Sequence, residues 1–191
     1  AAGICGTDLA IESKSLKVPL PLILGHESAG EVAAVGRDIQ DIDVGLRVTS
    51  EINLTCGECY LCESGVPTHC MKRKAIGIDV DGAFAELIAI PRKNIHILPD
   101  SISYEEGVFI EPLAAAIQTM KMSKINANDT IAIVGDGRLG QLVAQSFRAA
   151  VPSSKILMFG KHDSKLTLAR ELGGVDLAVN VSQKNPLKVT L

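Results

Sequence analysis

The sequence predicts two domains: a mainly β region, followed by the opening of an α/β doubly wound parallel sheet. Three observations point there. Residues 28–50, SAGEVAAVGRDIQDIDVGLRVTS, alternate small or apolar residues with polar ones, punctuated by Gly30, Gly36 and Gly45, as short twisted strands with tight turns do. Beyond Asp129 the rhythm changes to continuous apolar runs, TIAIVG, KILMFG and VDLAVNV, of the kind buried on both faces of a sheet. Helical runs separate them, which gives strand–helix–strand–helix–strand with short links.

Taken in order, residues 51–75 have little apolar periodicity and read as an irregular lobe. Residues 82–90, GAFAELIAI, resume a strand pattern. Ser103 stands three residues before Glu106, a capping-box signature, and residues 104–120 read as helical. Pro112 interrupts that run as a kink or as a second helix start. In the second half, strands are expected at 130–135, 155–160 and 175–181, and helices at 138–150 and 163–174, the latter ending in glycines. The division is expected near 121–129, giving domains 1–125, with the lobe 51–75, and 126–191.

Composition bounds the function. A chain of 191 residues suits one ample domain or two small ones, and 47% hydrophobic against 21% charged residues predicts a folded core. With no Trp and 3% aromatics, that core must be aliphatic. A formal charge of −3 gives no footprint for nucleic acid. No apolar run is long enough for a spanning helix, and the start has no basic segment followed by a long apolar one. A cytoplasmic protein without a membrane role is expected. There is no initial Met and the last stretch stops where another strand and helix should begin, so part of a longer enzyme is expected.

Four of the five cysteines lie in CGECYLCESGVPTHC, at Cys56, Cys59, Cys62 and Cys70. Thiolates so close on one loop can meet around tetrahedral zinc, leaving no open position, so such a site is structural. His69 offers a substitute ligand. The lack of a secretory signal argues against two disulfides, while spacing alone also admits an iron–sulfur cluster.

Chemistry must then lie elsewhere. Cys5 in GICGTD, His26 with Glu27 in GHE, and Glu111 in IEPLA supply a thiolate, an imidazole and a carboxylate. Such a three-ligand set leaves a fourth position for water or substrate. Asp8 is placed to accept the free ring N–H of His26, and Thr7 to carry a proton from the reacting oxygen. Spacing does not establish this site. Cys5 can equally be a small buried hydrophobe, and His26 with Glu27 an ordinary surface or core pair.

GDGRLG supplies Gly135, Gly137 and Gly140 between a buried strand and a helix, the context that makes a GxGxxG specific. Gly135 allows the turn, Gly137 the approach of a pyrophosphate to the helix N-terminus, and Gly140 close helix packing. Asp136 is awkward beside phosphates unless it points away or Arg138 compensates. At the end of the next strand an acid would bind the adenosine ribose; here stand Gly160, Lys161 and His162, with Asp163 read as a helix cap. A basic, glycine-opened pocket accepts a 2′-phosphate that an acid would repel, so NADP is favoured over NAD. Lys161 is otherwise an ordinary exposed lysine.

CGTD, GHESAGEVAAVG, CGECYLC…C, GAFAE, EPLA and the glycine loop occur in the order of the zinc-dependent medium-chain alcohol dehydrogenases, which the chain resembles over essentially its whole length. The resemblance implies a GroES-like catalytic domain and a Rossmann coenzyme domain, here cut short. It implies that Cys5 and His26 bind catalytic zinc, with Glu111 as third ligand as in the sorbitol and threonine dehydrogenase branches, and Glu27 able to approach the metal. Thr7 would relay a proton and Asp8 support the histidine. Gly135, Gly137 and Gly140 match the family's dinucleotide fingerprint, while the Gly160–Lys161 pair departs from its NAD branch; with Arg138 and Leu139 these are the expected coenzyme-site residues. Leu46 departs from the usual acid in GDRV, with a local effect expected. The implied reaction is hydride transfer between a nicotinamide coenzyme and an alcohol, polyol or matching carbonyl, in a homodimer or homotetramer. The competing readings are a zinc-free quinone or enoyl reductase of the same fold, and an inactive nucleotide-binding structural protein.

Overall fold

A computed structural model describes residues 1–172 and 174–190, so the expected glycine stop at Gly173 and the final residue Leu191 lie outside the described residues. The chain forms two compact units, Ala1–Glu111 and Pro112–Leu191.

In the first unit β1 (Ala2–Gly3), β2 (Glu27–Glu31), β3 (Arg47–Ser50) and β6 (Ile95–Ile97) form an antiparallel sheet in the order β1-β2-β3-β6. A short helix α1 (Gly6–Glu12) follows β1. The cysteine lobe carries a two-stranded sheet, β4 (Asn53–Leu54) with β5 (Lys74–Ala75), and one helical turn, α2 (Tyr60–Glu63). Alternation in β2 buries Ala29, β3 buries Val48, Thr49 and Ser50 in succession, and Ala29, Leu98 and Val108 form a small core with Ile102, Tyr104 and Ile110 packed on it.

The helical stretch splits into α3 (Tyr104–Gly107) and α4 (Ile110–Met122). Ser103 caps α3 as the sequence suggested: its hydroxyl accepts from the Glu106 N–H at 3.1 Å while the Glu106 carboxylate accepts from the Ser103 N–H at 2.8 Å. Pro112 lies in the first turn of α4, where its missing N–H leaves no bond unmade. Met120 and Ile125 pack against the core of the second unit, to which α4 belongs from Pro112 onward.

Residues 82–90 form no strand, contrary to their pattern. Gly82, Ala83 and Phe84 give their backbone N–H groups to the carbonyls of Ile23, Gly25 and Leu24 at 2.7–2.9 Å. Residues 85–90 then run along an open cavity of about 760 Å³ bordered also by β2 and β3. The alternation survives, with Ile88 and Ile90 half-buried and Leu87 and Ala89 exposed, but no neighbouring strand takes up the ladder.

The second unit follows its sequence closely. Strands β7 (Thr130–Val134), β8 (Lys155–Gly160) and β9 (Leu177–Asn180) pair in parallel, in the order β7-β8-β9. They are linked by α5 (Arg138–Ala150) and α6 (Asp163–Glu171); a short α7 (Leu187–Thr190) follows. Ile131, Ile133, Ile156, Met158, Leu166 and Val175 fill the core, with Phe147 its aromatic member. Asp163 is the first residue of α6 and not its cap, which is His162. The Asp163 carboxylate instead accepts from Asn180 and Gln183, both at 2.8 Å.

Candidate active site

The lobe cysteines converge. The sulfur separations are 3.4 Å for Cys56–Cys70, 3.5 Å for Cys59–Cys62, 3.8 Å for Cys59–Cys70 and 3.9 Å for Cys56–Cys62. A tetrahedron of Zn–S bonds near 2.3 Å has edges of about 3.8 Å, whereas a disulfide needs S–S near 2.05 Å. All five cysteines are free thiols. The backbone helps: a backbone hydrogen bond at Cys62 is the main cause pulling the Cys59 thiol down to about 6, and one from the Cys56 N–H is the main cause lowering the Cys70 thiol from its ordinary value. Burial pushes Cys62 up, to about 11. A divalent cation would remove that conflict, since four crowded sulfurs do not readily ionise together without one. His69 stays out of the group, exposed and paired with the Thr68 hydroxyl.

A second group lies at the start of the chain. Cys5, His26 and Glu27 each present a donor atom, all within 4.8 Å of one another, with His26 and Glu27 buried. Glu111 is not in that mutually close set. It lies where burial first, and the negative charge of Glu27 second, push its carboxyl up to about 7. Two carboxyls that disfavour each other's charge beside a thiol and an imidazole make a donor set suited to a cation.

The supports explain the placement. Cys5 precedes α1, and the carboxylate of Asp8 in the first turn accepts from the Cys5 N–H at 2.7 Å and the Gly25 N–H at 3.2 Å. Asp8 therefore ties together the backbones that carry Cys5 and His26. It comes only to 3.6 Å from His26 Nδ1, which has no hydrogen-bond partner although buried. Thr7 Oγ1 lies 3.8 Å from the Cys5 sulfur. Gly3 pairs with Glu27 across β1 and β2, and a Cβ there would meet Glu27 Oε2 at 2.6 Å.

GAFAE, expected as a strand and as a motif of the resemblance but given no part in the site, holds the backbone that enters His26. A Cβ on Gly82 would come within 2.2 Å of the Gly25 carbonyl oxygen, and the Phe84 ring lies 2.5 Å from where a Gly25 Cβ would be. Gly25 has φ +98°, which a side chain would strain. The signal in the sequence was the pair of glycines, legible only once their contact is known.

In the second unit Gly135 has φ +121°, and a Cβ on Gly140 would meet the Gly135 carbonyl oxygen at 2.2 Å. Gly137 caps α5 without any side-chain hydrogen bond, and nothing lies within 4 Å of where its Cβ would be. Uncapped N–H groups facing open space fit a pyrophosphate. Arg138 and Leu139 are exposed at the start of α5. Arg138 makes no ion pair with Asp136 among the described residues. Asp136 turns away, buried, toward the end of β8: Oδ2 accepts from the Lys161 N–H at 2.9 Å and the His162 N–H at 2.7 Å. His162 Nδ1 lies 3.1 Å from both carboxylate oxygens. Burial would raise the Asp136 carboxyl, but the His162 and Lys161 hydrogen bonds outweigh it and hold it below its ordinary value.

Residues 1–100 match the alcohol dehydrogenase GroES-like domain family. The chain belongs to the medium-chain dehydrogenase family. It is 38% identical over 184 residues to L-threonine 3-dehydrogenase of Francisella philomiragia, covering 94% of this chain and 52% of that protein. A structure from Sinorhizobium meliloti 1021, described as a zinc-binding dehydrogenase bound to NADP, is 34% identical with TM-score 0.89, over 96% of this chain and 53% of the other. An Escherichia coli CFT073 alcohol dehydrogenase complexed with NADH is 32% identical with TM-score 0.91, over 99% and 55%. The chain thus spans about half the length of the relatives it matches. Its medium-chain architecture is a GroES-like domain followed by a Rossmann-like parallel sheet. Among the described residues no helix is long and apolar enough to cross a membrane.

Proposed function

We propose that this medium-chain dehydrogenase chain belongs to a zinc-dependent oxidoreductase. It transfers hydride between a secondary alcohol or polyol, or the matching carbonyl, and a nicotinamide coenzyme, with NADP preferred over NAD. The observation that carries the reading is the convergence of Cys5, His26 and Glu27 donors within 4.8 Å. Residues 1–125 form its catalytic part and 126–191 the start of its coenzyme part.

Cys5 and His26 hold the catalytic zinc, with Glu111 completing the set and Glu27 beside it. The close Cys5, His26 and Glu27 donors and the electrostatic conflict of the Glu111 and Glu27 carboxyls fit a cation there. Bound zinc supplies Lewis acidity that favours ionisation of an alcohol, and the nicotinamide supplies the hydride acceptor. Thr7 carries the hydroxyl proton away. Asp8 fixes the Cys5 and Gly25 backbones so that the thiolate and imidazole keep their spacing. The four lobe cysteines hold a second, structural zinc. On the coenzyme side the uncapped α5 N-terminus receives the pyrophosphate and Lys161 the 2′-phosphate. Reduced, clustered thiols suit a cytoplasmic protein, and the assembly is a homodimer or homotetramer.

The test is a zinc count together with coenzyme reduction followed at 340 nm, using L-threonine, polyols and aldehydes with NADP and NAD separately. Two zincs per subunit with turnover are expected. One zinc and no turnover with any substrate would defeat the catalytic assignment.

A further inference from the structure

The carboxylate of Asp136 lies at an unusual place. It belongs to the glycine loop, yet it fills the space above Gly160 at the end of β8. A Cβ on Gly160 would lie 2.5 Å from the Asp136 Cβ, Cγ and Oδ2. Gly160 is thus a glycine because another residue's acid occupies its side-chain volume. That acid is not displayed to solvent: Asp136 is 7% exposed and three donors converge on it.

We propose that Asp136 is a positioning residue for a 2′-phosphate site formed by Lys161 and His162; the inference rests on the NADP preference proposed above. An ionised carboxylate can only accept, so His162 Nδ1 is the donor in this contact, which fixes the tautomer and leaves Nε2 as the free ring nitrogen. The imidazole is 57% exposed, so Nε2 is available to an anion. A phosphate that meets Nε2 does so as an acceptor, with the ring held from behind by the Asp136 carboxylate, the arrangement that makes a charge-assisted hydrogen bond. Lys161 is exposed, and its ammonium has no ion pair among the described residues. The turn carrying both residues is also held from β9, where Asn180 Nδ2 donates to the Lys161 carbonyl at 3.3 Å. Asp136 places its negative charge against three N–H groups and leaves two basic side chains facing outward.

Binding separates this from simple loop support. The protein is titrated with NADP, NAD, 2′,5′-ADP and 5′-AMP, and imidazole nitrogen shifts are recorded by NMR. In Asp136→Asn the side-chain oxygen can keep both backbone N–H bonds, while the new NH₂ must donate to His162 Nδ1. The ring is then forced to the Nε2–H tautomer and loses its supporting charge. Asp136→Asn and His162→Gln should each weaken NADP and 2′,5′-ADP about tenfold, with NAD and 5′-AMP changed less than about twofold. The double variant should be little worse than either single one. Asp136→Asn should also shift the His162 nitrogen signals to the other tautomer.

The proposal is overturned if Asp136→Asn tightens NADP, because the acid then repels the phosphate. It is equally overturned if Asp136→Asn and His162→Gln leave the NADP to NAD ratio unchanged while Lys161→Ala lowers it, a result that keeps the NADP reading. A wild-type preference for NAD overturns both, and binding of neither coenzyme defeats the dehydrogenase reading itself. Should Asp136→Asn fail to fold, the exposed His162→Gln decides alone.

Discussion

The two donor clusters of the first unit reach similar compactness by opposite routes. The lobe draws Cys56, Cys59, Cys62 and Cys70 from fifteen consecutive residues, and their own backbone N–H groups support the sulfurs. The other centre draws Cys5, His26 and Glu27 from the start of α1 and the entrance to β2. Its spacing is kept by Asp8, by Gly3 and by the contact of residues 82–84 with residues 23–25. A local cluster can form wherever its loop is free to fold around an ion. A distributed one exists only when the packing around it is already right.

The largest test of that contrast removes one donor from each. His26→Ala should lower turnover about a thousandfold or more, drop one zinc per subunit and leave the lobe zinc in place. Its melting temperature should change little. Cys62→Ser should release the lobe zinc and destabilise the first unit, on the order of several kcal/mol, because the ion substitutes for a core the lobe lacks. Zinc analysis and thermal melting on the same samples separate the two. The contrast breaks if Cys62→Ser loses its zinc and melts unchanged.

A smaller effect should come from the packing alone. In Gly82→Ala the new methyl meets the Gly25 carbonyl oxygen, which is backbone and cannot swing aside. The segment carrying His26 must shift, by an amount that typically lowers turnover about ten- to a hundredfold. The lobe should keep its zinc at full occupancy. Equal loss of both zincs would show that the two clusters are not independently supported.

The same distinction separates what could be read in the sequence from what could not. The lobe was legible because its spacing is its geometry. Residues 138–150 and 155–160 were legible as α5 and β8 because buried runs and helical periodicity are local signals. The distributed centre was suggested by its residue types and supported by resemblance, not by spacing: nothing in the separation of Cys5 from His26 and Glu27 says that they approach one another. Residues 82–90 misled because alternation describes side-chain burial and is silent about whether a partner strand is in reach. Asp136 was expected to point away from the phosphates or to be compensated by Arg138; it points away, but its partners Lys161 and His162 lie a helix and a strand further on, where sequence adjacency does not reach.

The second unit offers a distributed arrangement that needs no ion, and it should fail gradually. The Asp176 carboxylate accepts from the Ile156 N–H at 2.7 Å and from Arg148 Nη2 at 2.6 Å, joining the edge of β8, the end of α5 and the approach to β9. The Ile156 hydrogen bond chiefly, then Arg148 against the opposing effect of burial, holds this carboxyl below its ordinary value of 3.8. A carboxyl depressed in the folded state binds protons more weakly there than when unfolded. Its contribution is therefore full above pH 3.8 and is lost as the pH falls through the lower folded value. Asp176 is 45% exposed, so solvent screening limits that contribution to about 1 kcal/mol. Asp176→Asn should lower stability by about that amount at neutral pH, measured by denaturant unfolding, and the gap to wild type should close in acid. Zinc content and the spacing of the first-unit donors should not change. A gap that persists unchanged into acid would mean that Asp176 acts by shape and not by charge, and distributed support would then rest on packing in both units.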